Sequence, residues 1–252
     1  MRFDIITIFP EVFESYLNAS MIKRARAKKL VDIRIHDLRN YVKVAPRPAS
    51  LSLQRGEQAR GNLPLRRQVD DRPYGGGPGM VLKVEPIIKA IEKLLKPISN
   101  SQFPISKRKK VKIILFSAAG KQFDAKIAAD FAKKYDRIVM IAGHYEGIDE
   151  RIGKIIFENW KLEIENLSVG PYVLTGGELP ALVVVDAVSR HIPGFLGKAE
   201  SLEEKRYGVG LPVYTRPEVF SYKGKKYHAP KILLSGDHKK IEIWRRKQKR
   251  DI

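Results

Sequence analysis

Residues 111–143 read VKIILFSAAGKQFDAKIAADFAKKYDRIVMIAG, and the hydrophobic pattern of this stretch decides the fold class. The apolar run Val111–Phe116 predicts a buried strand, Asp124–Tyr135 has helical spacing, and Arg137–Ile141 predicts a second buried strand. A strand, a helix and a strand at this spacing favour a parallel sheet covered by helices. The chain is therefore predicted to be an α/β protein.

Neighbouring segments extend this pattern in both directions. Further strands are predicted over Phe3–Phe9, Val31–His36 and Leu162–Val169, and helices over Glu11–Leu17, Met21–Leu30, Glu85–Leu95 and Ala181–Arg190. Ligands of parallel sheets bind beyond the carboxyl ends of the strands. The candidate ligand loops are therefore Ser117–Gly120, Gly143–Ile148 and Gly170–Gly177.

The composition narrows the class of partner. The 252 residues include 48 Lys and Arg against 28 Asp and Glu, a net charge of +20, which favours nucleic acid or an anionic membrane surface. No apolar run approaches the ~18–20 residues of a membrane-spanning helix, and the N-terminus does not resemble a signal peptide. The absence of cysteine excludes disulfides, cysteine-bound clusters and cysteine nucleophiles, and the five histidines are not spaced as metal ligands. A cytoplasmic, anion-binding protein without membrane association is predicted.

Three glycine-containing strings each admit a structural and a functional interpretation. Asp70–Met80 holds four glycines in five positions, which suits a phosphate cradle or a simple turn, but its context is not that of a P-loop. Gly143–Arg151 follows a predicted strand and opens a helix, where exposed backbone amides can bind an adenosyl or phosphate group. The alternative is a solvated helix start, at which Asp149 and Glu150 only complement the helix dipole. Gly170–Pro180 lets the backbone approach a ligand. Thr175 and Glu178 fit a capping box, which is a purely structural explanation, but Pro180 would then lie inside the helix, so the next helix is predicted to start near Leu179.

Together, these strings resemble the bacterial tRNA (guanine-N1)-methyltransferases, a knotted family of the SPOUT class. The resembling strings, in family order, are Asp70–Met80, Gly143–Arg151, Gly170–Pro180, Asp186–Arg190 and Tyr214–Val219, with the opening Ile5–Pro10 and the closing Leu234–His238. The resemblance runs from Met1 to about Gln248. It implies an α/β fold with a SPOUT-type parallel sheet, a deep trefoil knot and a small, shortened α-helical C-terminal domain. The implied limits are 1–197 for the methyltransferase domain, 198–217 for the linker and 218–252 for a basic tRNA-binding domain.

The same resemblance implies the ligands and the reaction. The methyl donor would be S-adenosyl-L-methionine (SAM), the product N1-methylguanosine at tRNA position 37, and the enzyme a homodimer; whether Mg²⁺ is needed stays open. The basic composition fits a polyanionic tRNA. The implied SAM-binding residues are Leu115, Phe116, Ser117, Gly143, Tyr145, Glu146, Gly147, Val169, Gly170, Pro171, Tyr172, Val173, Leu174, Gly176 and Gly177.

Methylation of guanine N1 needs a base to remove its proton and a cation to stabilise the charge that grows on O6. Arg190 matches the family's arginine for the second role. For the base the family uses an acid in the linker, and the counted position falls on Lys205, which is protonated at its ordinary pKa of ~10.4. Because this linker is shorter than usual, the true position can differ from the counted one by one residue. Glu204 is therefore expected to be the base, with Glu203 second and Lys205 last. The alternative is that both glutamates are solvated linker charges without a catalytic role.

Three departures from the family pattern leave other functions open. About twenty extra residues occupy roughly 44–65, Pro171 stands where many relatives carry Asp, and the chain ends at Ile252, earlier than is usual. The insert is expected to be a mobile loop that folding does not require, and the basic tail a phosphate-binding segment. A non-catalytic RNA-binding protein and a SPOUT enzyme that methylates ribose or rRNA are the alternatives.

Overall fold

The computed structural model describes residues 1–42, 67–99, 110–197, 202 and 211–248. The insert at 44–65 and the linker residues Glu203, Glu204 and Lys205 therefore lie outside the described residues. The chain divides into two units, Met1–Phe195 and Leu196–Ile252, and each is described by itself below.

The first unit is an α/β unit built on one parallel sheet, as predicted. Its strands are β1 (Arg2–Thr7), β2 (Asp32–Asp37), β5 (Val111–Gln122), β6 (Arg137–Ile141) and β7 (Ile164–Ser168), with a separate short antiparallel pair, β3 (Asp70–Asp71) and β4 (Val81–Leu82). The order across the sheet is β2-β1-β6-β5-β7, and each neighbouring pair is parallel. The helices are α1 (Glu14–Leu17), α2 (Ser20–Ala27), α3 (Val84–Ser99), α4 (Ala125–Lys134), α5 (Arg151–Trp160) and α6 (Glu178–Arg190), with 3₁₀ turns at Pro10–Phe13 and Leu38–Tyr41.

The continuous apolar runs become the central strands because both faces of the sheet are covered. All five residues of β6 are buried, and so are five of the six residues of β1. Helix α3 packs Ile87, Ile91 and Leu94 into the same core as Val139 of β6. The sheet is thus a rigid base for the loops at its carboxyl ends.

A buried charge cluster crosses the first three strands of this sheet. The Asp4 carboxylate accepts hydrogen bonds from Arg2 (2.8 Å to each oxygen) and from Arg137 Nε (2.6 Å), and lies 2.7 Å from His36 Nε2. Burial alone would raise the pKa of Asp4, but the hydrogen bonds from His36, Arg2 and Arg137 hold it well below its usual range. Breaking such a pair from one side is costly, about 3–5 kcal/mol, because a buried charge is left uncompensated.

Several predicted boundaries were wrong. Strand β5 continues to Gln122, so Ser117–Gly120 is not a loop after the strand but a bulge inside it, where Phe116 and Lys121 both face Leu167. Helix α6 begins at Glu178, which confirms the predicted start near Leu179, and Pro180 lies in its first turn, where a missing amide removes no hydrogen bond of the helix. The helix expected over Glu11–Leu17 is a 3₁₀ turn followed by the short α1.

The described part of the second unit contains a β-hairpin as well as helices, whereas a small, shortened α-helical C-terminal domain was expected. Strands β8 (Val219–Tyr222) and β9 (Lys225–His228) are antiparallel and are followed by α7 (Lys231–Leu234) and α8 (His238–Lys247). Lys223 and Gly224 form the two-residue connection with φ of +47° and +75°, the left-handed geometry that hairpin turns need. Asp237 caps α8 by accepting a hydrogen bond from the Lys240 amide at 3.1 Å.

Candidate active site

A cavity of about 310 Å³ opens at the carboxyl ends of β5, β6 and β7, within the ~300–1,000 Å³ typical of small-molecule sites. Its walls come from three segments, 115–118, 143–150 and 166–177, with Pro180 from the start of α6. The bulge in β5 therefore supplies the first wall. The three candidate ligand loops converge on one site.

Close backbone packing holds the second and third walls together. The Gly177 amide donates to the Gly143 carbonyl oxygen at 2.8 Å, and His144 and Gly176 form an antiparallel bridge. A Cβ on Gly177 would lie 2.6 Å from Ala142 Cα and 3.0 Å from the Gly143 nitrogen. Only glycine fits at this contact without moving the backbone, so the two walls meet because residue 177 has no side chain.

A buried polar pair lies at the start of α6, next to these walls. Thr7 Oγ1 at the end of β1 donates to Glu178 Oε1 at 2.7 Å, and the Glu178 residue is 6% exposed. A Cβ on Gly176 would lie 2.3 Å from Glu178 Oε2 and 2.8 Å from His144 Nδ1, so both groups point to the same place. His144 Nδ1 is buried and has no hydrogen-bond partner among the described residues. The pair ties β1 and α6 together beside the cavity.

The glycine-rich string 70–80 docks against the second wall. The Glu146 amide donates to the Met80 carbonyl oxygen and the Leu82 amide donates to the Gly147 carbonyl oxygen, both at 3.0 Å. Tyr145 has a φ of +59°, an uncommon conformation for a bulky residue and often a sign of a functional constraint. The string is thus held beside the cavity without lining it.

The charge of the cavity is opposite to that of the whole chain. Among the described lining residues, the only charged side chains are Glu146 and Glu150, and no lysine or arginine lines the cavity. Nearby, the Arg151 guanidinium holds the pKa of the Asp149 carboxyl below its usual range through a hydrogen bond. A phosphate would meet no cation here, whereas a ligand with a positive charge would meet carboxylates. The described lining therefore argues against a phosphate as the ligand of Gly143–Arg151.

The structure brings almost all of the SAM-binding residues implied by the resemblance to this one cavity. All of them line it except Pro171, which lies in the same loop. Other lining residues were not named as SAM-binding residues, although His144, Ile148 and Thr175 lie in the candidate loops and Glu150 lies in the string Gly143–Arg151. Asn166, within β7, lies outside all of these segments. Their positions beside strand ends were the available signal.

Arg190, the arginine implied by the resemblance, is not among the described residues that line the cavity. Arg190 is the last residue of α6, and at a rise of about 1.5 Å per residue it lies about 18 Å along the helix axis from Glu178. One turn before Arg190, Asp186 accepts a hydrogen bond from Tyr16; burial and this hydrogen bond together raise the pKa of the Tyr16 phenol. Glu203 and Glu204 are outside the described residues.

The sequence matches the family described as tRNA (Guanine-1)-methyltransferase TrmD over residues 1–49 and 62–251. The chain belongs to this family. The unmatched residues 50–61 fall within the stretch 44–65 that was expected to be extra. Similar proteins include the tRNA (guanine-N(1)-)-methyltransferases of Carboxydothermus hydrogenoformans (40% identical, covering 98% of this chain and 82% of the relative), Dictyoglomus turgidum (41%, 98% and 84%) and Thermomicrobium roseum (42%, 98% and 78%).

Two further observations concern the described residues alone. None of their helices has the length and apolar character that crossing a membrane requires. In the same part of the chain, no three His, Asp or Glu side chains come together as a metal site.

Proposed function

We propose that this protein is a methyltransferase that moves the methyl group of SAM to N1 of guanosine 37 in tRNA. The observation that carries the proposal is the cavity itself: in a member of this family, three strand-end loops enclose a site whose only charged walls, among the described residues, are carboxylates. Bound SAM would supply a methyl group already activated by a sulfonium cation.

The cavity residues fit SAM by chemistry and by shape. Glu146 and Glu150 provide negative charge for a cationic ligand, while Leu115, Ile148 and Val169 provide apolar wall for an adenine ring. The close contact between Gly177 and Gly143 keeps side chains out of the junction between two walls, where backbone groups can reach the ligand. The proposed knot is supported by the chain path, since residues 169–177 leave β7 and next hydrogen-bond to the loop after β6, two strands away.

Arg190 and Glu204 are proposed as the groups that act on guanine. A guanidinium can hydrogen-bond O6 while keeping its charge, which stabilises the negative charge that develops there. A carboxylate can accept the N1 proton, and Glu204 is the proposed acceptor, with Glu203 second and Lys205 last. Glu204→Gln is expected to lower turnover by ~10²–10⁴ and to leave SAM affinity unchanged.

A second copy of the chain is proposed to complete the site. Arg190 is not among the described residues that line the cavity of its own chain, so an arginine in that role is proposed to come from a partner. Leu179 and Val183 on the same helix are 55% and 46% exposed, which fits a helix face that a homodimer covers. The protein is proposed to act in the cytoplasm, with the cations of the second unit bound to tRNA phosphates.

The test is methyl transfer from labelled SAM to a tRNA transcript with guanosines at positions 36 and 37. Label is expected in N1-methylguanosine, and a transcript with adenosine at 37 should accept none. Binding of tRNA without transfer would instead identify a non-catalytic RNA-binding protein. Undiminished transfer to the adenosine transcript would identify a different SPOUT methyltransferase, for example one acting on ribose. Any Mg²⁺ requirement would appear as loss of transfer in a chelator.

A further inference from the structure

The hairpin of the second unit has one face made of aromatic side chains. The register pairs Phe220 with Tyr227 and Tyr222 with Lys225. Because side chains alternate along a strand, these four residues share one face, and the opposite face carries Val219, Ser221, Lys226 and His228. Every residue of both strands is exposed. Phe220, Tyr222 and Tyr227 are 58%, 56% and 54% exposed, so three rings on one face are open to water.

Hairpin stability explains only part of this face. A two-stranded hairpin is marginally stable alone, and the cross-strand pair Phe220–Tyr227 would stabilise it. Tyr222, however, is opposite Lys225 and has no aromatic partner across the strands. Its exposed ring leaves apolar surface in water, which is unfavourable, and it completes no aromatic pair across the strands. A partner outside the hairpin accounts for it better.

The charges around the rings indicate what that partner is. Segment 219–228 contains three lysines, Lys223, Lys225 and Lys226, and no aspartate or glutamate. The Lys223 ammonium lies 5.5 Å from the centre of the Tyr222 ring, and the tight turn holds it there. Aromatic rings beside cations are the arrangement by which proteins bind unpaired nucleotides, with bases stacked on rings and phosphates near lysines. An apolar protein partner would instead have to desolvate these ammonium groups.

We infer that this face, Phe220, Tyr222, Tyr227 and Lys225, is a stacking platform for unpaired bases of the tRNA. The inference rests on the proposed function for the identity of the RNA and adds to it how the second unit holds that RNA. Bases in an A-form helix hide their faces, whereas tRNA loops expose theirs. The platform therefore recognises loop nucleotides by stacking, and Lys223 and Lys225 bind the adjoining phosphates.

The experiment removes the rings and keeps apolar side chains. In Phe220→Leu/Tyr227→Leu, tRNA is expected to bind at least about 5- to 150-fold more weakly, which is the range for the loss of a single stacked base. The exchange variant Phe220→Tyr/Tyr227→Phe keeps both rings and should bind as the parent does. Ser221→Ala/His228→Ala changes the opposite face and should also leave the Kd unchanged. The dissociation constant and the base environment can be read together from 2-aminopurine placed in the tRNA loops, whose fluorescence falls on stacking.

Further measurements separate the outcomes. If the double leucine variant loses the hairpin by circular dichroism, Tyr222→Leu decides, because Tyr222 has no aromatic cross-strand partner. A folded variant with the parental Kd would overturn the platform, and so would a change in oligomeric state, which would make this face a protein contact. Equal weakening towards a fully paired RNA, which has no unpaired base to stack, would also overturn the platform. Ring-dependent tRNA binding by a parent that methylates nothing would support the platform while rejecting the proposed function.

Discussion

Gly177→Ala is the sharpest single test of how the cavity is built. The added Cβ would lie 2.6 Å from Ala142 Cα and 3.0 Å from the Gly143 nitrogen, and both of these atoms are backbone. Neither can swing aside as a side chain would, so the third wall must move away from the second. Overpacking of this kind typically costs about 1–3 kcal/mol.

Because the walls of the free variant move apart, SAM can bind as in the parent only if they return to the parental spacing, and that return costs the same energy. At 1.4 kcal/mol per factor of ten, the Kd for SAM should rise by about 5- to 150-fold. Isothermal titration calorimetry measures the Kd, and urea unfolding reports whether the protein remains folded. A folded Gly177→Ala protein with the parental Kd would refute the reasoning.

Gly153→Ala is the matched control for this substitution. Gly153 lies inside α5, and a Cβ there would meet no atom within 4 Å. Replacing a glycine inside a helix by alanine should raise the free energy of unfolding by about 0.5–1 kcal/mol. SAM affinity should not change, which separates crowding at the cavity from the general effect of removing a glycine.

Three further substitutions test the buried charge cluster around Asp4, the buried Thr7–Glu178 pair and the basic C-terminal tail. Asp4→Asn should lower the free energy of unfolding by about 3–5 kcal/mol. Because the folded-state pKa of Asp4 is depressed, the parent should keep this stability above the unfolded pKa of ~3.9 and lose it as the pH falls below that value. Acid unfolding curves of Asp4→Asn should not show this loss. Glu178→Ala should lower the free energy of unfolding by about 1–3 kcal/mol, as measured by urea unfolding. The double variant Thr7→Val/Glu178→Ala should lose less stability than the sum of the two single variants, because the two side chains share one hydrogen bond. Replacing the three cations at 245–247 by neutral residues should make the affinity for tRNA less dependent on salt. The slope of log K against log salt concentration should fall in magnitude by ~0.7–0.9 for each phosphate that the tail no longer binds. An unchanged slope would contradict a role for the tail in tRNA binding.

The sheet and the cavity loops could be predicted because their signals are local. Arg137–Ile141 is apolar after its first residue, as a strand covered on both faces must be, and the loops follow directly from where such strands end. The hairpin was missed although its signal was present: Lys223-Gly224 is a short turn between alternating aromatic residues.

Other features have no local signal. Thr7 and Glu178 are 171 positions apart, and nothing near either residue indicates that a hydroxyl and a carboxylate will be buried together. The same holds for Asp4 and Arg137, whose pairing depends on β1 and β6 becoming neighbours in the sheet. The acidic character of the cavity in a strongly basic chain also depends on which side chains three separate loops turn inward.

Hydrogen–deuterium exchange with and without SAM would locate the methyl donor on the chain. Binding in the cavity should slow exchange of backbone amides at 115–118, 143–150 and 166–177 together, since these segments form its walls. Helix α4, which contributes no residue to the described cavity lining, should exchange at the same rate in both states. Protection of all three walls with α4 unchanged is the predicted result. Binding of SAM that leaves these walls unprotected and slows exchange elsewhere would contradict it.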